Sequence, residues 1–139
     1  MTVLDEILAI GHENIRSTHN TTIEITRDKN LTKKGNCIIG VNSTKACFDL
    51  DPELKKKIKN QNRIKVTLKV ENLEDSFYGY GSNKLKLLDK NDIVFRKSNY
   101  ICDRTVLINC TKSSLNLNRE LIEKLRIPGN KLSITFEMS

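Results

Sequence analysis

The sequence predicts an α+β fold, internally duplicated, in which two strand–strand–helix–strand units interleave as a pseudo-two-fold β-barrel with two short helices. The first observation behind this is a repeat. Residues 41–58 (VNSTKACFDLDPELKKKI) and residues 108–125 (INCTKSSLNLNRELIEKL) share Asn42, Thr44, Lys45, Leu50, Glu53, Leu54 and Lys57 without a gap, 67 positions apart. Similarity at such a spacing marks a supersecondary unit used more than once. The second observation is period-two alternation in RIKVTLKV (residues 63–70), which matches KLSITFEM (residues 131–138) after a one-residue shift. The third is size: three strands and one helix hold too little core alone and must bury their apolar face against the other copy. Interleaving as a barrel follows cradle-loop barrels by analogy, and two separate α+β lobes are the alternative. The 139 residues suit a single domain, with repeats at about 1–72 and 73–139.

The elements follow in order. A strand is expected near residues 3–10. Residues 15–28 alternate enough to form a second strand, and a loop closed by Lys33, Lys34 and Gly35 leads to CIIGV (residues 37–41), continuous and apolar as a buried strand is. Asp51 is placed to cap a helix that has Pro52 at its first position, Glu53 in its first turn, Leu54 and Ile58 on one face, and lysines in its last turn. RIKVTLKV closes the unit, showing Ile64, Val66, Leu68 and Val70 on one face. The second unit repeats this with strands near residues 76–80, 92–98, 104–110 and 131–138. Its helix spans about 119–126, capped by Asn118 and stopped before Pro128 and Gly129.

Composition narrows the function classes. Hydrophobic residues at 37% and charged residues at 29% describe a globular chain. No run approaches the roughly 18 apolar residues of a membrane span, and MTVLDEILAI lacks the basic start of a leader, so a cytoplasmic protein is expected. Cys37, Cys47, Cys102 and Cys110 are then expected reduced, and none forms a CxxC pair. A nucleophile is conceivable at Cys37 or Cys102, but buried structural thiols are the expectation. The net charge of +7 favours anionic partners through the long-range field, although the lysine run at residues 55–59 reads as a solvated helix face. No Walker A or GxSxG signature occurs, YGYGSN has no helix after it, and no cofactor is legible.

The polar run GHENIRSTHNTTIEITRD (residues 11–28) is the candidate site. Even positions carry Arg16, Thr18, Asn20, Thr22, Glu24, Thr26 and Asp28, a wholly polar face. By parity His19 points with Ile23 and Ile25, and His12 lies beyond the turn, so these histidines and Glu24 do not align as a metal trio. A solvated face of β-favouring threonines and a half-buried His19 bonded to a neighbour are the competing accounts. In the second copy Asp92, Val94 and Arg96 stand where the first has Thr22, Glu24 and Thr26, and Arg96, Lys97, Ser98 and Arg104 make it cationic enough to hold a phosphate or carboxylate. An ion pair of Asp92 with Arg96, or of Asp103 with Arg104, is the structural alternative.

These stretches carry a resemblance. GHxN followed by THxTTxExT and LTxxGxCI falls on residues 11–38, and RKSxxxCxRT on residues 96–105, with Lys112 after it. The chain is similar in both to the archaeal family known as domain of unknown function 371. It departs at Asn36, where aspartate is more frequent in the family, and at residues 110–114, CysThrLysSerSer in place of an alanine-rich segment. The resemblance implies an archaeal cytoplasmic protein, implies no mechanism, and adds weight to the polar strand as a site.

The function expected is binding of an anionic ligand, a nucleotide, phosphorylated metabolite or RNA, in a groove lined by His12, Arg16, Thr18, His19, Thr22, Glu24, Thr26, Arg96 and Arg104. The alternatives are a small enzyme using His19 or His12 with Glu24 as acid and base, and a structural or assembly subunit without a ligand. Oligomeric state is not legible.

Overall fold

In the computed structural model, which describes residues 2–139, eight strands form two four-stranded sheets accompanied by two α-helices. The larger sheet has the order β1 (Val3–Ile10), β8 (Lys131–Met138), β4 (Arg63–Val70), β5 (Leu73–Tyr80), antiparallel throughout. The smaller has the order β3 (Ile38–Gly40), β2 (Thr22–Thr26), β6 (Asp92–Arg96), β7 (Thr105–Leu107). Its central pair is antiparallel, while β3 and β7 each run parallel to the strand they flank.

Alternation places the long strands as expected: Ile64, Val66, Leu68 and Val70 are buried, and the residues between them lie at or near the surface. Phe95 on β6 joins the sheets, its ring edge-on to Phe77 of β5 at 5.2 Å and tilted against Phe136 of β8 at 6.0 Å. Helix α1 (Pro52–Lys59) starts where Asp51 accepts the Glu53 amide, and it buries Leu54 and Ile58. Helix α2 (Arg119–Leu125) starts where Asn118 accepts the Leu121 amide, and it buries Leu121, Ile122 and Leu125.

The two halves carry matching contacts. Asp5 accepts from Lys45 at 2.7 Å and from the Asp51 amide at 2.8 Å; Asp75 accepts from Lys112 at 2.5 Å and from the Asn118 amide at 2.8 Å. Each pair ties a long strand to the start of the helix that follows. Left-handed backbone recurs as well, at Ser17 (φ 53°) and Leu87 (φ 56°), and at Asn42 (φ 51°) and Asn109 (φ 50°).

The β-barrel is not formed. Among the described residues only single bridges pair between the sheets, Ile10 with Val41 and Tyr80 with Ile108, so no continuous ladder closes a cylinder. The reason lies in β3 and β7, three residues each, which end just before Asn42 and Asn109 turn the chain left-handed and halt the pairing.

The long polar strand is corrected too. Only Thr22–Thr26 of residues 15–28 pairs as a strand, because Ser17 takes a left-handed turn held by its hydroxyl, which donates to the Ser114 carbonyl at 2.7 Å. The alternation survives through the turn, Ile15 and Ser17 inside and Arg16 and Thr18 outside, so the pattern reads as a strand where the pairing stops. Within β2 all five residues are buried, so its polar face is not a wet sheet surface.

Candidate functional site

The polar face shared by β2 and β6, buried along β2 and half-buried at Asp92 and Arg96, is built around one guanidinium. Register sets Glu24 opposite Val94, with Asp92 opposite Thr26 on the same ladder. Arg104 sits one residue before β7, and its Nη1 donates to Glu24 Oε1 at 3.1 Å and to Asp92 Oδ2 at 3.2 Å. The Cys37 thiol donates to the same Glu24 oxygen at 3.7 Å. Burial, and next the Asp92 charge, push the Glu24 carboxyl above its ordinary range, and Arg104 only partly opposes them. The charge of Arg104 is thus spent on two carboxylates.

Arg96, at the end of β6, is different. Its Nε donates to Thr105 Oγ1 at 3.1 Å, its Nη2 reaches Cys102 Sγ at 3.2 Å, and its guanidinium lies over the Tyr100 ring at 4.8 Å. Among the described residues no carboxylate lies within ion-pair distance of it. It opens onto a groove of about 370 Å³ lined by Asp89, Arg96, Tyr100, Cys102, Asp103 and Arg104.

A reciprocal turn shapes the groove wall. The Thr105 amide donates to the Cys102 carbonyl at 3.0 Å, and the Cys102 amide donates to Thr105 Oγ1 at 3.0 Å. The turn brings the Cys102 sulfur to 3.5 Å from the same hydroxyl. Burial alone raises the Cys102 pKa, but hydrogen bonds from Thr105, Arg96 and the Arg104 backbone, and then the Arg96 charge, outweigh it and lower the thiol to about 7. The other thiols go the opposite way. Burial and the Glu24 charge push Cys37 up to about 11, and burial is the leading cause that takes Cys47 and Cys110 to about 12.

The structure brings Thr22, Glu24, Arg96 and Arg104 together on one sheet, Thr22 pairing directly with Arg96, and sets Thr26 at the far end of β2. His12, Arg16, Thr18 and His19 lie outside this cluster. Arg16 and Thr18 line a separate groove of about 190 Å³ with Arg119, Glu123 and Arg126. Both histidines serve local turns: His12 Nδ1 accepts the Asn14 amide at 3.0 Å, and His19 Nδ1 accepts the Thr21 amide at 3.1 Å. No hydrogen bond joins either ring to Glu24 among the described residues. Among those residues no three His, Cys, Asp or Glu side chains converge as metal ligands.

Sequence reasoning named Cys102 as a conceivable nucleophile but expected a buried structural thiol, where the structure leaves it half-buried; it gave no site role to Thr105 or Tyr100, and it gave Asp92 a different partner. The residues are close in sequence, within RKSNYICDRT, yet only the parallel pairing of β6 and β7 folds Cys102 back onto Arg96.

A family model described as domain of unknown function DUF371 matches residues 7–139. An uncharacterized protein of Methanocaldococcus jannaschii is 45% identical over 120 residues, which is 86% of this chain and 89% of that protein. No helix among the described residues is long and apolar enough to cross a membrane.

Proposed function

The chain belongs to the DUF371 family, and we propose that it binds a compact anionic metabolite in the groove over Arg96. One observation carries this reading: a guanidinium that, among the described residues, is bonded to a hydroxyl, a sulfur and an aromatic face and has no carboxylate partner opens onto a cavity of small-molecule size. Arginine in that state supplies a planar donor fork suited to a carboxylate or phosphate. Arg104 shapes the floor, and with its charge taken by Glu24 and Asp92 it adds little attraction.

The rim narrows the ligand class. Asp89 and Asp103 line the same groove, so a repeating phosphate backbone meets repulsion there, whereas a ligand with one acidic group and hydroxyl or amine donors finds acceptors. A phosphorylated or carboxylated metabolite fits better than RNA. The acid–base reading has less support, because no hydrogen bond joins either imidazole to Glu24 among the described residues.

Calorimetric titration of the parent and an Arg96→Gln variant with phosphorylated metabolites, dicarboxylates and a short RNA tests the proposal. Metabolite binding by the parent that weakens about 10- to 100-fold in the variant is expected, from the roughly 1.5–3 kcal/mol of a hydrogen bond to a charged group. RNA binding tighter than any small anion, and indifferent to Arg96, would overturn it.

A further inference from the structure

We infer that Cys102 is a nucleophile that forms a covalent bond to an electrophilic carbon of the anion held by Arg96. The inference rests on the anion-binding reading and assigns that site its chemistry. Geometry carries it: the sulfur stands in the groove wall at 3.2 Å from the Arg96 fork and 3.5 Å from the Thr105 hydroxyl, so an anion seated on Arg96 lies beside it.

The first half of the chain shows that the fold does not require this cluster. There, Thr26 occupies the place of Arg96, Gly35 that of Cys102, and Ile38 that of Thr105. The same backbone bonds form without the polar groups. The Ile38 amide donates to the Gly35 carbonyl at 3.2 Å as Thr105 does to Cys102 at 3.0 Å, and the Ser43 amide donates to Thr26 at 3.0 Å as Cys110 does to Arg96 at 2.9 Å. A glycine and an isoleucine suffice for the turn, so the thiol, guanidinium and buried hydroxyl of the second half answer another need.

The remaining cysteines have structural explanations. Cys47 is buried with its thiol on the Asp92 carbonyl at 3.0 Å, Cys110 is buried, and Cys37 faces the Glu24 carboxylate, which opposes ionisation. Cys102 alone is held toward the thiolate, which is the attacking form. The charged and titratable groups around it are Arg96, Tyr100, Asp103, Arg104 and Asp89, which line the same groove, and Cys47, close enough to couple to it electrostatically. In the step itself the thiol proton goes to solvent and a sulfur lone pair forms the S–C bond. The carbon's leaving group departs with the bonding pair or, at an activated double bond, the π pair shifts to the adjacent atom, which takes a proton from solvent.

Alkylation mapped cysteine by cysteine tests this, using iodoacetate and neutral iodoacetamide from pH 5 to 9, with and without inorganic phosphate. Iodoacetate forms the S–C bond and expels iodide. Cys102 is expected to react at least about tenfold faster than Cys37, Cys47 or Cys110, with a midpoint near pH 7, and phosphate slows it. Relative to glutathione it favours iodoacetate over iodoacetamide, and in Arg96→Gln the midpoint moves up toward an ordinary thiol's, about 8.5. Cys102 reacting no faster than its neighbours, or with an ordinary midpoint, would overturn the inference. Calorimetry on Cys102→Ser separates the two readings: anion binding kept while Cys102 proves inert leaves a binding site without a nucleophile. Fast alkylation with no phosphate protection and no anion isotherm removes the anion reading instead.

Discussion

Glu24 and Asp92 share the guanidinium of Arg104, and the sharing is unequal. Glu24 is the deeper, and its folded-state pKa lies above the ordinary value of about 4.3. The folded chain therefore holds that proton more tightly than the unfolded chain does. The stability this gives is present below the ordinary value and is lost as pH rises through the folded one. A Glu24→Gln variant lacks this loss. Its melting temperature relative to the parent should climb as pH rises from 4 toward 7, and thermal melts across that range check it; a gap that widens on acidification instead contradicts the assignment. Asp75 has the opposite sign. Burial raises its pKa, but Lys112 and the Asn118 and Ser76 amides outweigh burial and lower it, so its contribution is present above about 3.9 and is lost as pH falls. Asp75→Asn should cost about 1.5–3 kcal/mol at pH 7 and progressively less in acid, measured by urea unfolding at several pH values.

Among the elements, the helices depend on close approach at their C-terminal ends. A Cβ on Gly81 would stand 1.9 Å from the Ile58 carbonyl oxygen, and one on Gly11 would stand 2.3 Å from that of Leu125. Backbone cannot step aside as a side chain does, so Gly81→Ala should destabilise by about 1–3 kcal/mol or more in urea unfolding. The helices were legible in the sequence because their signals are local: Asp51 with Pro52, and Asn118 ahead of its apolar stripe, act within one turn. Long strands with one buried face were legible for the same reason, as β4 and β8 show. The start of β2 was not. Ser17 leaves the extended region because a residue 97 positions away accepts its hydroxyl, and no local pattern encodes that partner. The site was half legible for a related reason. Glu24, Arg96 and Arg104 stand out as charges in strands, but the contact of Cys102 with Arg96 needs the parallel docking of β7, a three-residue strand with no periodicity of its own.

Across the whole molecule, two open sheets meet on an aromatic contact rather than closing as a cylinder. Phe95 is the small sheet's share of it, and Phe95→Ala should cost about 3–5 kcal/mol by leaving a cavity against Phe77 and Phe136. The excess of basic residues, a net +7, does not concentrate at the groove, where Asp89 and Asp103 share the lining with Arg96 and where Glu24 and Asp92 take the charge of Arg104. Much of it lies along α1, where Lys56 and Lys59 are exposed and Lys55 bonds the Phe48 carbonyl. On the proposed reading, affinity for anions is therefore a property of one guanidinium and not of the overall field, and amide chemical-shift mapping with a phosphorylated metabolite separates these directly. The account predicts saturable shifts clustered on residues 96–105 that vanish in Arg96→Gln. Shifts spread over the α1 lysines and unchanged by that substitution would contradict it.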